Sequence, residues 1–201
     1  MEAKIESKSI EATKEMGYLC FEAIKTFIEK TEVKKELFDL PKVSCPLFVT
    51  YDKLRDKEYE LRGCIGTFGS QPLIETLIKY SRYSAFHDSR FSPVGSKELP
   101  YLRCTVSLLT NFEQAKNYLD WEVGKHGIEI NFGSGYSATF LPEVAEEENW
   151  DKETTIKHLV RKAGYYGQLS KSFKESIKLT RYQSSIVQVT YDEYIEWRKT
   201  I

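Results

Sequence analysis

One eight-residue stretch, Leu61-Arg62-Gly63-Cys64-Ile65-Gly66-Thr67-Phe68, sets a thiol and a guanidinium among two glycines. Glycine has no side chain to pack and weakens a strand, so here it marks a bulge, or a point where a ligand or another backbone comes close. Either arrangement exposes Cys64 or backbone N–H groups. Two kinds of chemistry are open to these residue types. Cys64 can serve as a nucleophile where a neighbouring cation or base draws its thiol below the ordinary pKa of about 8.5. Arg62 can grip a carboxylate or a phosphate. Against these stand plainer readings, in which Cys64 is a small residue packed in a strand and Arg62 pairs with a surface acid.

The acid–base partners on offer are His87, His126 and His158. His158 falls beside apolar positions of a predicted helix, and His87 precedes Asp88 in a loop, where surface placement is the simpler account. His126 stands between Gly124 and Gly127 at the mouth of a strand. It is the best available acid or base for Cys64, with structural hydrogen bonding as the alternative. Asp88-Ser89-Arg90-Phe91 opens a long loop able to fold over a pocket, its two charges free to bind a ligand or to pair with each other. Arg161 and Lys162 near a helix end, with Arg181 and Tyr182 on a late strand, could build an anion site; compensation of the helix dipole accounts for the first pair without a ligand.

These residues need elements to position them. Met16, Leu19, Cys20, Ala23, Ile24, Phe27 and Ile28 recur at helical spacing and predict an amphipathic helix. Cys45–Tyr51 and Tyr59–Gly66 flank the charged segment Asp52–Glu58 and read as an antiparallel pair. Pro72 suits the first turn of a helix carrying Ile74, Leu77, Ile78 and Ala85 inward. His87–Pro100 reads as an irregular loop. Tyr101–Thr110 alternates as a half-buried strand. Gly127–Phe132 and Tyr136–Leu141 bracket the hairpin signal Gly133-Ser134-Gly135. Asp151 caps a helix running to about Ala163. Ser176–Tyr182 and Ser185–Tyr191 are strand-like, and Asp192–Lys199 forms a closing helix. Strands and helices alternate without a regular βαβ rhythm, and several connections are too short for parallel pairing, which predicts a mixed α+β class in one structural domain.

Composition limits the functions further. The chain has 201 residues, 41% of them hydrophobic, enough for a sizeable core. Lys and Arg total 29 against 30 for Asp and Glu, so no overall field draws the chain onto a nucleic acid, and such binding needs a one-sided cluster of cations. Cys20, Cys45, Cys64 and Cys104 show no C-x-x-C spacing, so neither a structural zinc nor any other metal or cofactor is indicated. Met1–Glu15 lacks the apolar core of a signal peptide, and no stretch is long and apolar enough for a membrane span. The reading is a cytoplasmic or nuclear protein with free thiols and no membrane association.

As a set, these segments resemble the AMMECR family, named from the chromosomal region linked to Alport syndrome, intellectual disability, midface hypoplasia and elliptocytosis. Its hallmark L-R-G-C-I-G-T-F stands unbroken at Leu61–Phe68. The eukaryotic branch is matched by D-S-R-F at Asp88–Phe91, S-L-L-T-N-F at Ser107–Phe112 and D-W-E-V-G-x-H-G-I at Asp120–Ile128, with L-P-E-V-A at Leu141–Ala145 and K-L-T-R-Y at Lys178–Tyr182. The resemblance implies an α+β fold with an antiparallel sheet of about five strands and flanking helices. It implies a larger lobe holding both termini, a smaller inserted lobe and a cleft between them. Arg62, Cys64, Asp88, Arg90 and His126 match the family's pattern; His87 and His158 do not. The loop at Gly133–Gly135 is shorter than in the eukaryotic branch.

The family brings no secure reaction, and fold alone supplies none. The first reading is a regulatory or interaction protein that binds a protein or small-molecule partner beside Arg62 to Phe68, with Arg62, Gly63, Gly66, Thr67, Asp88 and Arg90 as contacts. The alternative is an enzyme with Cys64 as nucleophile and His126 as acid or base, acting on a nucleotide, RNA or protein group.

Overall fold

The apolar stripe near the N-terminus forms helix α1, Lys14–Glu29, with Met16, Leu19, Cys20, Ala23 and Ile24 wholly buried. Phe27, expected on the same stripe, is 45% exposed and stacks on Phe86 at 4.5 Å instead, because the core ends one turn before the helix does. A computed structural model describes residues 10–201, so the part of the signal-peptide reading that concerns Met1–Ser9 lies outside the described residues. The chain divides into two compact units, one of residues up to Leu108 together with Ser185–Ile201, the other Leu109–Ser184.

In the first unit, β1 (Ser44–Arg55) pairs antiparallel with β2 (Glu58–Pro72) on one side and with β3 (Leu102–Gln114) on the other. The charged segment expected to link the first two strands is mostly strand. The turn is only Asp56 and Lys57, both at positive φ, the two-residue hairpin geometry that follows strand twist. Cys45, Leu47, Val49 and Tyr51 of β1 face inward with Cys104, Val106 and Leu108 of β3, and helix α2 (Leu73–Phe86) contributes Leu73, Leu77 and Ala85 to the same core. Pro72 ends β2 and serves as the N-cap of α2 rather than entering its first turn. Within the predicted loop a 3₁₀ turn runs from Ser96 to Tyr101.

The second unit is built on the hairpin of β4 (Gly127–Phe132) and β5 (Tyr136–Phe140), turned at Gly133 and Gly135 with positive φ. Strand β6 (Lys178–Thr190) pairs antiparallel with β4 through Lys178–Tyr182. Short helix α3 (Pro142–Glu147), helix α4 (Lys152–Lys162) and short helix α5 (Lys171–Glu175) surround a core of Trp121, Ile128, Ile130, Ile156, Leu159, Val160 and Leu179. Asp151 caps α4 by accepting the Thr154 N–H, as its position before an apolar run predicts. Helix α6 (Tyr191–Arg198) closes the first unit, started by a capping box between Thr190 and Glu193. Glu22 of α1 ties it down, accepting from Tyr194 Oη and meeting Arg198 at 3.3 Å.

Among the described residues the strands follow the order β2-β1-β3-β6-β4-β5, six against about five expected. The runs read as two late strands are one, since Gln183 and Ser184 continue the extended backbone instead of breaking it. Every pairing described above is antiparallel, and with its helices the fold is α+β.

Candidate functional site

The hallmark segment lies on β2, which among the described residues has one sheet neighbour, β1. Tyr51 pairs with Gly63 and Asp52 with Leu61, so Arg62 is an extra residue, a bulge. A bulge re-aims its side chain, and this one points inward: the Arg62 side chain is 8% exposed. Its Nε and Nη2 donate to the two oxygens of Glu98 at 3.1 and 3.2 Å, and Nη2 also donates to the Ser92 carbonyl at 2.8 Å. Lys53 and the Gly95 N–H complete the Glu98 carboxylate. Burial alone would raise the pKa of Glu98; the Arg62 and Lys53 bonds outweigh it and bring it down to about 2. Arg62 thus anchors the 92–98 loop, and its remaining Nη1 is buried without a hydrogen-bond partner among the described residues.

Past the bulge, Thr50 faces Cys64 across the strands and its hydroxyl donates to the thiol sulfur at 3.1 Å. Cys64 is half-buried. In an antiparallel strand the N–H and C=O of one residue point to the same side, and those of Cys64 point away from β1. Asp88 Oδ2 accepts the Cys64 N–H at 2.9 Å, while Arg90 Nη2 donates to the Cys64 carbonyl at 3.3 Å. Asp88 also takes the Arg90 N–H at 3.1 Å, Nε at 3.0 Å and Nη2 at 2.7 Å. The Arg90 guanidinium in particular, then the amides, hold the Asp88 carboxyl well below the usual carboxylate range despite its burial. The same pair drives the Arg90 pKa up. So Arg90 is locked in orientation although its side chain is 54% exposed, whereas that of Asp88 is 6% exposed.

The glycines serve the protein's own packing. A Cβ on Gly63 would sit 2.1 Å from the Ser84 carbonyl oxygen, so this residue lets the end of α2 approach the strand. Ser84 uses that approach to place its hydroxyl between the Ile65 N–H and the Val49 carbonyl. At Gly66 a Cβ would meet the Leu47 carbonyl oxygen at 2.3 Å and the Phe48 ring at 2.4 Å. Thr67 accepts the Gly69 N–H and is likewise committed locally.

His126 belongs to the second unit and is 7% exposed. Its Nδ1 accepts the Glu122 N–H at 3.0 Å and its own N–H returns to the Glu122 carbonyl, closing the turn before β4. Burial first, then Lys125 and Arg181, lowers its pKa from the usual value near 6.5, so at neutral pH the ring is uncharged with its proton on Nε2. The lone pair able to take a proton is therefore occupied. Arg181, the arginine of K-L-T-R-Y, joins Glu113 and Asp120, and Arg161 donates to the carbonyls of Tyr165 and Gly167. The Tyr182 hydroxyl bonds Thr139 and the Phe140 carbonyl, and Lys162 donates to the Thr139 carbonyl at 2.9 Å. Among the described residues no cluster of His, Cys, Asp and Glu could hold a metal ion.

Spacing in the sequence carried no sign of Glu98 or Ser84, which complete the motif from 36 and 19 residues away. A Glu three residues after a glycine in a Pro-containing loop is the only hint: its carboxylate takes the Gly95 N–H, half of a capping box, since glycine has no side chain to return the bond.

What emerges is an α+β protein whose distinguishing feature is a glycine-bearing edge strand stapled by two Arg–carboxylate pairs. The sequence profile of the AMMECR1 family matches residues 18–187. An uncharacterised protein of Arabidopsis thaliana is 44% identical over 196 residues, covering 94% of this chain and 91% of the relative. One of Schizosaccharomyces pombe is 42% identical over 186 residues, covering 90% and 95%. A crystal structure of an uncharacterised Pyrococcus horikoshii protein shares the fold at a TM-score of 0.68 with 29% identity, over 86% of this chain and 89% of that one. The chain belongs to the AMMECR1 family. Among the described residues no helix is long and apolar enough to cross a membrane.

Proposed function

We propose that this chain is a regulatory or interaction protein that binds a ligand or partner beside Arg62 to Phe68, with Arg90 as the group it presents. One observation carries the reading: the Arg90 guanidinium is fixed by bonds to Asp88 and to Cys64, yet more than half of its side chain faces solvent. A preorganised donor loses little freedom when it meets an acceptor, which favours binding. Its Nη1 takes no part in those bonds.

The enzymatic reading asks for a base beside the Cys64 thiol. Engagement of the His126 lone pair by Glu122 supports binding over that alternative. Affinity capture from cell extract, with wild-type, Arg90→Ala and Cys64→Ser chains as baits of equal thermal stability, tests the choice. Partners or metabolites lost with Arg90→Ala and kept with Cys64→Ser are expected. Capture unchanged by Arg90→Ala overturns the proposal. Rapid alkylation of Cys64 by iodoacetamide near neutral pH revives the nucleophile.

A further inference from the structure

We infer that the groove beside α4 in the second unit binds a small organic phosphate, with Lys157, Arg161 and Lys174 around the anion and Tyr166 beside its organic part. The groove has a volume of about 500 Å³ and is lined by Glu153, Thr154, Lys157, Arg161 and Lys174 among others. Thr154, Lys157 and Arg161 share one face of α4 by their spacing.

Lys157 and Arg161 are four residues apart, and like charges at that spacing oppose each other on a helix. The usual relief would be Glu153, four residues before Lys157. That carboxylate is drawn elsewhere, to Lys174 Nζ at 2.6 Å and Tyr118 Oη at 3.0 Å, and the Lys174 bond first of all holds its pKa down. Among the described residues Lys157 has no carboxylate within ion-pair reach, and Arg161 has none. The lining therefore carries three cations against one acid already in use.

Arg161 is also held in place. Its Nη1 donates to the Tyr165 and Gly167 carbonyls, which leaves the rest of the planar fork for a bidentate contact with a phosphate. Compensation of the helix dipole explains an arginine in the last turn of α4. It does not explain Lys157 one turn earlier. Tyr166 is 79% exposed, with the Arg161 guanidinium 5.7 Å from its ring centre. An aromatic face that open, beside an anchored cation, suits a ligand with a flat ring on its phosphate, such as a nucleoside diphosphate.

Calorimetric titration with pyrophosphate and with ADP, joined to amide chemical-shift mapping on the full chain, tests this. Saturable binding of ADP is expected, with shifts centred on Thr154–Arg161 and Gln168–Lys174, and affinity that falls as salt rises. Lys157→Glu replaces an exposed side chain without a partner, so the fold is kept, and should weaken both ligands about tenfold, equal to ~1.4 kcal/mol. Tyr166→Ala should weaken ADP and leave pyrophosphate unchanged. Absence of saturable binding for both probes, or affinity for them undiminished in Lys157→Glu, overturns the site. Equal weakening of both by Tyr166→Ala overturns the assignment of an aromatic organic part.

Discussion

Arg62 and Arg90 are the same residue type, each joined through Nε and Nη2 to a carboxylate beside the same strand, and they do opposite things. Arg62 lies under the bulge with 8% of its side chain exposed, its partner Glu98 completed by Lys53. Arg90 stands at the strand's outer edge, and there the carboxylate is the buried member. Burial and not chemistry separates a guanidinium spent on holding a loop from one able to meet another molecule. Loss of Arg62 empties a space that the surrounding protein encloses, whereas water can enter where the exposed Arg90 stood and hydrate the buried Asp88 it leaves behind.

The contrast is open to direct attack. Arg62→Ala should cost about 2–4 kcal/mol in chemical denaturation, since it empties a buried site and removes the donors of both Glu98 and the Ser92 carbonyl, Lys53 alone remaining as the cation on Glu98. Arg90→Ala should cost less, about 1–2 kcal/mol in the same assay, because solvent can reach Asp88 through the space the exposed guanidinium leaves. Equal losses at the two positions would erase the distinction.

Next in size, Gly63→Ala should destabilise by about 1–3 kcal/mol, because its methyl collides with α2 backbone rather than with a movable side chain. The matching control, Gly135→Ala, meets nothing within 4 Å but must keep a φ of +108°. A Gly63→Ala chain as stable as wild type would remove the packing role assigned to that glycine.

The smallest effect concerns pH. Glu98 titrates lower in the folded chain than its ordinary 4.5, so its contribution is present above that value and is lost as pH falls from 4.5 towards about 2. Asp88 is shifted the same way and adds to the decline. Glu98→Gln should flatten stability across that window, as read by urea midpoints at stepped pH. A midpoint that falls as steeply in the variant as in wild type would assign the acid sensitivity to other carboxylates.

Much of the frame was readable because its cause is local. The apolar stripe of α1, the alternation of β3, the Gly133–Gly135 hairpin and the Asp151 cap each arise within a few residues, and each is where spacing puts it. The Arg62 bulge was not readable, since it depends on how Tyr51 and Asp52 line up with β2 across a hairpin. Similarly, β6 looked like two strands because polar Gln183 and Ser184 suggest a break when seen alone. Of the residues singled out for chemistry, the two glycines are explained by backbone contacts and His126 by a bond to Glu122. Residue type announced that something unusual happens at these positions; only neighbours distant in the chain determine what it is.

A strand at the margin of a sheet offers unsatisfied amides and carbonyls to any passing chain, which is how ordered proteins are recruited into aggregates. At Cys64 both groups are already claimed by the side chains of Asp88 and Arg90, which imitate the missing neighbour strand. The D-S-R-F segment therefore acts as a stopper on the most glycine-rich part of the margin, blocking strand addition there whether or not a ligand ever arrives.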